Sequence, residues 1–124
     1  MIQKTIIVRC ALAGLHGWST CNIEAVSFLR NSHRHMFHFE AHIPVIDSDR
    51  ELEFFMVQAA LIEIIKDLYP KAHDIPLINF GNRSCEMIGE DICIKLAETY
   101  KLSNVSCSVF EDNENGAMVV WSAA

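Results

Sequence analysis

The thirteen-residue run His33–Val45 (HRHMFHFEAHIPV) limits the fold more than any other stretch of the chain. Its residues alternate with a period of two. His33, His35, Phe37, Phe39 and Ala41 fall on one face, and Arg34, Met36, His38, Glu40 and His42 on the other. Such a run predicts a long strand with one apolar face that ends in two histidines. Phe37 and Phe39 are expected core residues, with Met36 and Phe54 beside them. A strand of this length needs partners. Thr5–Leu12 (TIIVRCAL), rich in β-branched residues, supplies one. Val105–Phe110 and Ala117–Trp121 supply two more, joined through Asp112–Gly116, where the Asn115-Gly116 pair signals a hairpin.

Two helices separate these strand pairs. Between Leu52 and Tyr69, the residues Phe54, Val57, Leu61, Ile64, Ile65 and Leu68 recur at helical spacing, with Asp49 as cap and Pro70 as stop. After a loop containing Pro76, Gly81 and Asn82, Ser84 is a good N-cap for a second helix carrying Ile88, Ile92 and Leu96 on one face. No repeat or linker divides the chain, so residues 1–124 are expected to form one α+β domain of order β-β-α-α-β-β. Its form is a four-stranded antiparallel sheet with two helices on one face. Such a sheet has open edges in a monomer, which pairing between subunits would satisfy.

Composition removes several function classes. The formal charge is −6, and ten Lys and Arg are scattered rather than gathered on one face, which argues against a nucleic-acid partner. Half of the residues are hydrophobic, yet no apolar run is long enough to cross a membrane. Excess apolar surface is a hint of self-association. Cys10, Cys21, Cys85, Cys93 and Cys107 show no CxxC spacing and are expected as free, mostly buried thiols. With no signal-peptide pattern after Met1, the expected compartment is the cytoplasm.

Histidines two apart on a strand project from the same face, so His33 and His35 can reach one ion. Zn²⁺ accepts neutral imidazole nitrogens, and a catalytic zinc keeps one position open beyond three protein ligands. His16, at the end of the first strand, is the best third ligand. The bland alternative is a pair of histidines at a polar strand end. His38 and His42 lie on the opposite face and are not expected to join the same ion. The Ala13–Leu29 segment reads as a long loop, of the kind that often carries function. Trp18 within it either covers a ligand or packs against protein, with packing the expected role.

These residues, in this order, resemble the 6-pyruvoyl-tetrahydropterin synthase and 6-carboxytetrahydropterin synthase family of T-fold proteins. The family has a histidine after its first strand and His-Gly-His-x-Tyr opening its second. Leu15-His16 and His33-Arg34-His35-Met36-Phe37 are similar. Glu53-Phe54 resembles the Asp-Phe pair that enters the family's first helix. Arg83-Ser84-Cys85-Glu86 resembles the Pro-Thr-x-Glu motif that opens its second. Glu111, after Val109-Phe110, resembles the glutamate that holds the pterin ring. The resemblance runs from Thr5 to Trp121.

The resemblance implies a zinc cofactor on His16, His33 and His35, and substrate contacts from Glu111, Ser84 and Glu86. A carboxylate suits the Glu111 role because it accepts two parallel N–H bonds from an amino-pyrimidinone edge. The alternative for Glu111 is a solvated residue at the hairpin mouth. The implied reaction is that of a carbon–oxygen lyase on dihydroneopterin triphosphate or a related purine-derived compound, feeding tetrahydropterin or queuosine-type synthesis. The implied assembly is a homo-oligomer, a hexamer in this family, with sites between subunits.

Two departures stand against it. The family's catalytic cysteine precedes the paired histidines, where this chain has Val26-Ser27-Phe28-Leu29-Arg30. Cys21 is the nearest thiol in the loop. The family's Asp-His couple is met only by His73-Asp74, in reversed order. Cys21, His73 and Asp74 are the candidate acid–base residues. The departures leave two alternatives open: a T-fold module that binds a pterin or nucleotide without turnover, and a structural oligomer with idle histidines.

Overall fold

A computed structural model of the chain describes every residue except His73 and Asp74, so that expected couple lies outside the described residues. Its spine is β2, His33–Val45, with the bounds its alternation predicts. β1, Lys4–His16, pairs antiparallel with β2 along its whole length, from Lys4 opposite Val45 to His16 opposite His33. It therefore runs four residues beyond the expected end at Leu12, through Gly14. A Cβ on Gly14 would sit 2.5 Å from Cε2 of Phe80, so the missing side chain is what lets the strand continue under that ring. The segment that returns to β2 contains a short 3-10 turn, Glu24–Arg30.

After β2 come α1, Phe54–Leu68; β3, Ile78–Gly81; α2, Cys85–Tyr100; β4, Asn104–Glu111; and β5, Gly116–Ser122. The sheet order is β3-β1-β2-β4-β5. The α+β class stands, but the sheet has five strands rather than four. β3 runs parallel to the end of β1, with Gly14 opposite Ile78. Its alternation spans four residues, buried Ile78 and Phe80 against exposed Asn79 and Gly81, and its terminal Gly81 with the nearby Pro76 and Asn82 masks it in the sequence.

Phe37, Phe39, Ala41 and Ile43 of β2 are fully buried beneath Val57, Leu61 and Ile65 of α1 and Ile88, Ile92 and Leu96 of α2, in one core. Burial of each large side chain contributes roughly 1.5–3 kcal/mol. Both helices thus cover one face of the sheet. Met36 belongs to the other face and is 41% exposed, contrary to the core position expected for it. Phe54 is also outside the core, at 60% exposure. It is the first residue of α1, whose cap is Glu53 rather than Asp49: the Glu53 carboxylate accepts from the Phe55 and Met56 amides at 2.7 and 3.2 Å. Ser84 caps α2 as expected, accepting from the Met87 amide at 3.1 Å. Among the described residues, no helix is long and apolar enough to cross a membrane.

The β4–β5 hairpin forms, but its left-handed residues are Asp112 (φ 52°) and Asn113 (φ 57°), not Asn115-Gly116. The Glu114 amide closes the turn on the Glu111 carbonyl at 2.9 Å. Gly116 instead begins β5, where a Cβ would meet the Val109 carbonyl oxygen at 2.2 Å.

Phe80 is only 2% exposed and is wedged between Phe37 and Tyr69, with ring centroids 4.7 and 4.8 Å away. It has no room to retreat from a new methyl group. Gly14→Ala is therefore expected to lose about 1–3 kcal/mol of stability in urea denaturation; an unchanged midpoint would contradict this packing.

Candidate metal centre

Residues directly opposite on antiparallel strands share a face. His16 lies opposite His33, and Glu111 opposite Phe37, two residues along from His35 on the same face. The register therefore gathers His16, His33, His35 and Glu111 where the core face of the sheet emerges beyond the phenylalanines. One potential ligand atom from each lies within 4.8 Å of all the others. The imidazole centroids are 4.7 Å (His16–His33), 4.9 Å (His33–His35) and 5.3 Å (His16–His35) apart.

Each imidazole is oriented by an acceptor on its outer nitrogen. His16 Nδ1 donates to the Arg83 carbonyl at 3.0 Å, and His33 Nδ1 to the Asn31 carbonyl at 2.8 Å. His35 Nδ1 meets a carboxylate oxygen of Asp112 at 2.7 Å. A carbonyl only accepts, so Nδ1 of His16 and His33 carries a proton, and in the neutral ring Nε2 presents a lone pair. Metal-bound histidines are held in the same way, the outer N–H bonded to an acceptor that fixes tautomer and ring angle. Inside the cluster, a Glu111 carboxylate oxygen lies 2.6 Å from His16 Nε2 and 3.5 Å from His35 Nε2. Lone pair against carboxylate at that distance is repulsive unless a proton or a cation lies between them. Three imidazole nitrogens and one carboxylate oxygen fit Zn²⁺ or a similar divalent ion.

Asp112 is the orienting group that sequence reading missed. One oxygen holds His35 and the other accepts the Met36 amide at 2.9 Å. The bond from His35, helped by that amide, holds the Asp112 carboxyl below the usual aspartate range. Its signal was present but faint: an aspartate directly after the candidate anchor Glu111, at the turn that faces the strand bearing the histidines.

A cavity of about 290 Å³ opens beside the four groups, near the lower end for small-molecule sites. His16, His33, Glu111, Ser84 and Glu86 line it, while His35 stands behind them in the cluster and does not. Ser84 Oγ is already engaged as the α2 cap. Cys21 does not line the cavity; it is buried, with Sγ directed to the Ile23 and Val26 carbonyls of its own loop at 3.9 and 3.7 Å. Cys85, in the first turn of α2, is the thiol that does. Burial, with the charges of Glu111 and Glu86, pushes it up to about 12, so it is held as a protonated thiol. Arg83 also lines the cavity, but both Asp91 oxygens hold its guanidinium at 2.8 Å.

If Asp112 sets the orientation and basicity of His35, Asp112→Asn is expected to weaken zinc binding about 10–100-fold in chelator competition. Asparagine tolerates the left-handed turn, so the thermal midpoint of the metal-free protein should hold. Unchanged zinc affinity would remove Asp112 from the site.

No protein-family model matches the sequence, and no curated protein matches it in sequence. Solved structures do. Two variants of Plasmodium vivax 6-pyruvoyltetrahydropterin synthase superpose with a TM-score of 0.61 each, at 14% identity, over 99% of this chain and 100% of theirs. In these a catalytic glutamate is replaced by cysteine in one and by alanine in the other. The likeness establishes the fold: the chain has the architecture of that synthase from end to end.

Proposed function

We propose that the protein is a zinc-dependent lyase of the tetrahydropterin-synthase type, acting on dihydroneopterin triphosphate or a related purine-derived compound. The observation that carries this reading is the pointing of the His16, His33 and His35 imidazoles at one another and at Glu111, each with its outer nitrogen already satisfied. His16, His33 and His35 would hold the ion, with Glu111 as fourth ligand or as a contact to the substrate ring. A bound zinc supplies Lewis acidity toward substrate oxygens. Glu111 and Glu86 accept N–H groups of the heterocycle along the cavity wall.

Of the acid–base residues expected from sequence, Cys21 is turned away from the cavity. Among the described residues Cys85 and Glu86 are the cavity groups left to act: a protonated thiol as acid, an exposed carboxylate as base. The catalytic glutamate of the Plasmodium synthase shows that a carboxylate can fill a catalytic position on this fold.

The edge of β1 from Lys4 to Ala13 and the outer edge of β5 have no strand partner among the described residues. Alternating antiparallel pairing makes those two strands run in opposite senses, so β5 of one copy can extend the sheet antiparallel to β1 of the next. This supports a homo-oligomer, for which we propose the hexamer. The five free cysteines support a reducing, cytoplasmic location.

A second reading rests on the orientation of Cys21: a module that binds a pterin or nucleotide without turnover. Release of triphosphate from dihydroneopterin triphosphate by the zinc-loaded protein separates the two. Turnover is expected, kept in Cys21→Ala and reduced about a hundredfold or more in a Cys85→Ala/Glu86→Gln double variant. Tight binding with no release would establish the binding module instead.

A further inference from the structure

Trp18 is a large aromatic side chain that lies outside the core and on the wall of the cavity. It is 41% exposed and is absent from the hydrophobic core and from the partly buried residues packed on it, whereas the chain's other tryptophan, Trp121, packs there. Its backbone is tied to neighbouring segments. The Gly17 amide bonds the Gly81 carbonyl at 2.9 Å, the Trp18 amide the Leu29 carbonyl at 2.7 Å, and the Ser19 amide Asn82 Oδ1 at 3.2 Å. The Cys21 amide returns to the Trp18 carbonyl at 3.0 Å. Gly17 allows the close passage, since a Cβ there would lie 3.3 Å from the Asn31 and Ser32 backbone. These bonds fix the main chain on both sides of Trp18, and the residue lines the cavity beside the histidines.

The remaining cavity wall explains what such an indole would meet. Leu29 is apolar, while Asn82, Glu86 and Glu111 offer hydrogen-bonding edges. An aromatic face combined with carboxylate acceptors is the recognition set for a flat ring that carries N–H groups on its rim: stacking is tolerant of ring identity, and the acceptors read the edge. We propose that Trp18 is a ligand-binding residue that stacks on a planar, N–H-bearing heterocycle held in this cavity. The inference rests on the heterocycle-site reading above but concerns a residue that reading does not use.

Neopterin, a stable pterin, serves as the probe for the zinc-loaded full chain, with Kd measured by equilibrium dialysis and indole emission followed in parallel. Wild type is expected to bind with quenching of emission. Trp18→Ala should raise Kd about tenfold. Trp18→Phe should bind within a few-fold of wild type, because a ring still stacks, while losing most of the quench. Zinc content and thermal midpoint, equal across the three proteins, show that the site is intact. Wild-type binding with unchanged Kd in Trp18→Ala would overturn the stacking role and leave the heterocycle site standing. A fall in oligomer mass in Trp18→Ala, with Kd unchanged for the remaining assembly, would make Trp18 an interface residue. Failure of wild type to bind would overturn both readings together.

Discussion

The site depends on the register of the ladder between β1 and β2. Side chains alternate between faces with every residue, so a slip of one position would send His16 to the face opposite His33 and bring Phe37 and Phe39 out of the core. Hydrophobic burial on β2 therefore sets the chemistry of its end. Phe37, Phe39, Ala41 and Ile43 choose the face, and His33 and His35 follow by period two. Gly14 keeps β1 in the ladder past Phe80, so that His16 arrives opposite His33 instead of turning away into a loop. On the other side, pairing of Phe37 with Glu111 brings a carboxylate to the same group, and the turn at Asp112 and Asn113 brings a second carboxylate to its rim.

Much of this was legible in the sequence, because periodicity is a local property. The bounds of β2, the histidine pair, the Ser84 cap and the apolar faces of both helices follow from spacing alone. The joining of His16 to the pair rested on the resemblance and on its place at a strand end. What was not legible involves partners distant in sequence. β3 has four residues and is a strand because β1 lies beside it. Glu111 reads as a ring anchor or a solvated hairpin residue until the β2–β4 register places it against His16. Phe54 has the spacing of a core residue, but Glu53 caps the helix one position before it, so it stands on an exposed first turn. Cys21 and Cys85 cannot be ranked from sequence, since only the path of the loop decides which thiol meets the cavity.

The site also shows how a group of side chains able to hold a metal can be arranged at one end of the central strands without cysteine. Two backbone carbonyls and one carboxylate take the outer nitrogens of three histidines, so their rings are held before any ion arrives. Pre-orientation of this kind lowers the ordering cost of binding. The wall beside it combines an indole, a protonated thiol and carboxylates on a frame tied to the loop before α2.

The most direct test is the metal content per chain of the purified, untagged protein, by plasma mass spectrometry, beside a His33→Ala/His35→Ala double variant. The account predicts close to one zinc per chain in the wild type and near-complete loss in the folded variant. A wild type that takes up no zinc after incubation with it, or a double variant that retains it, would contradict the account.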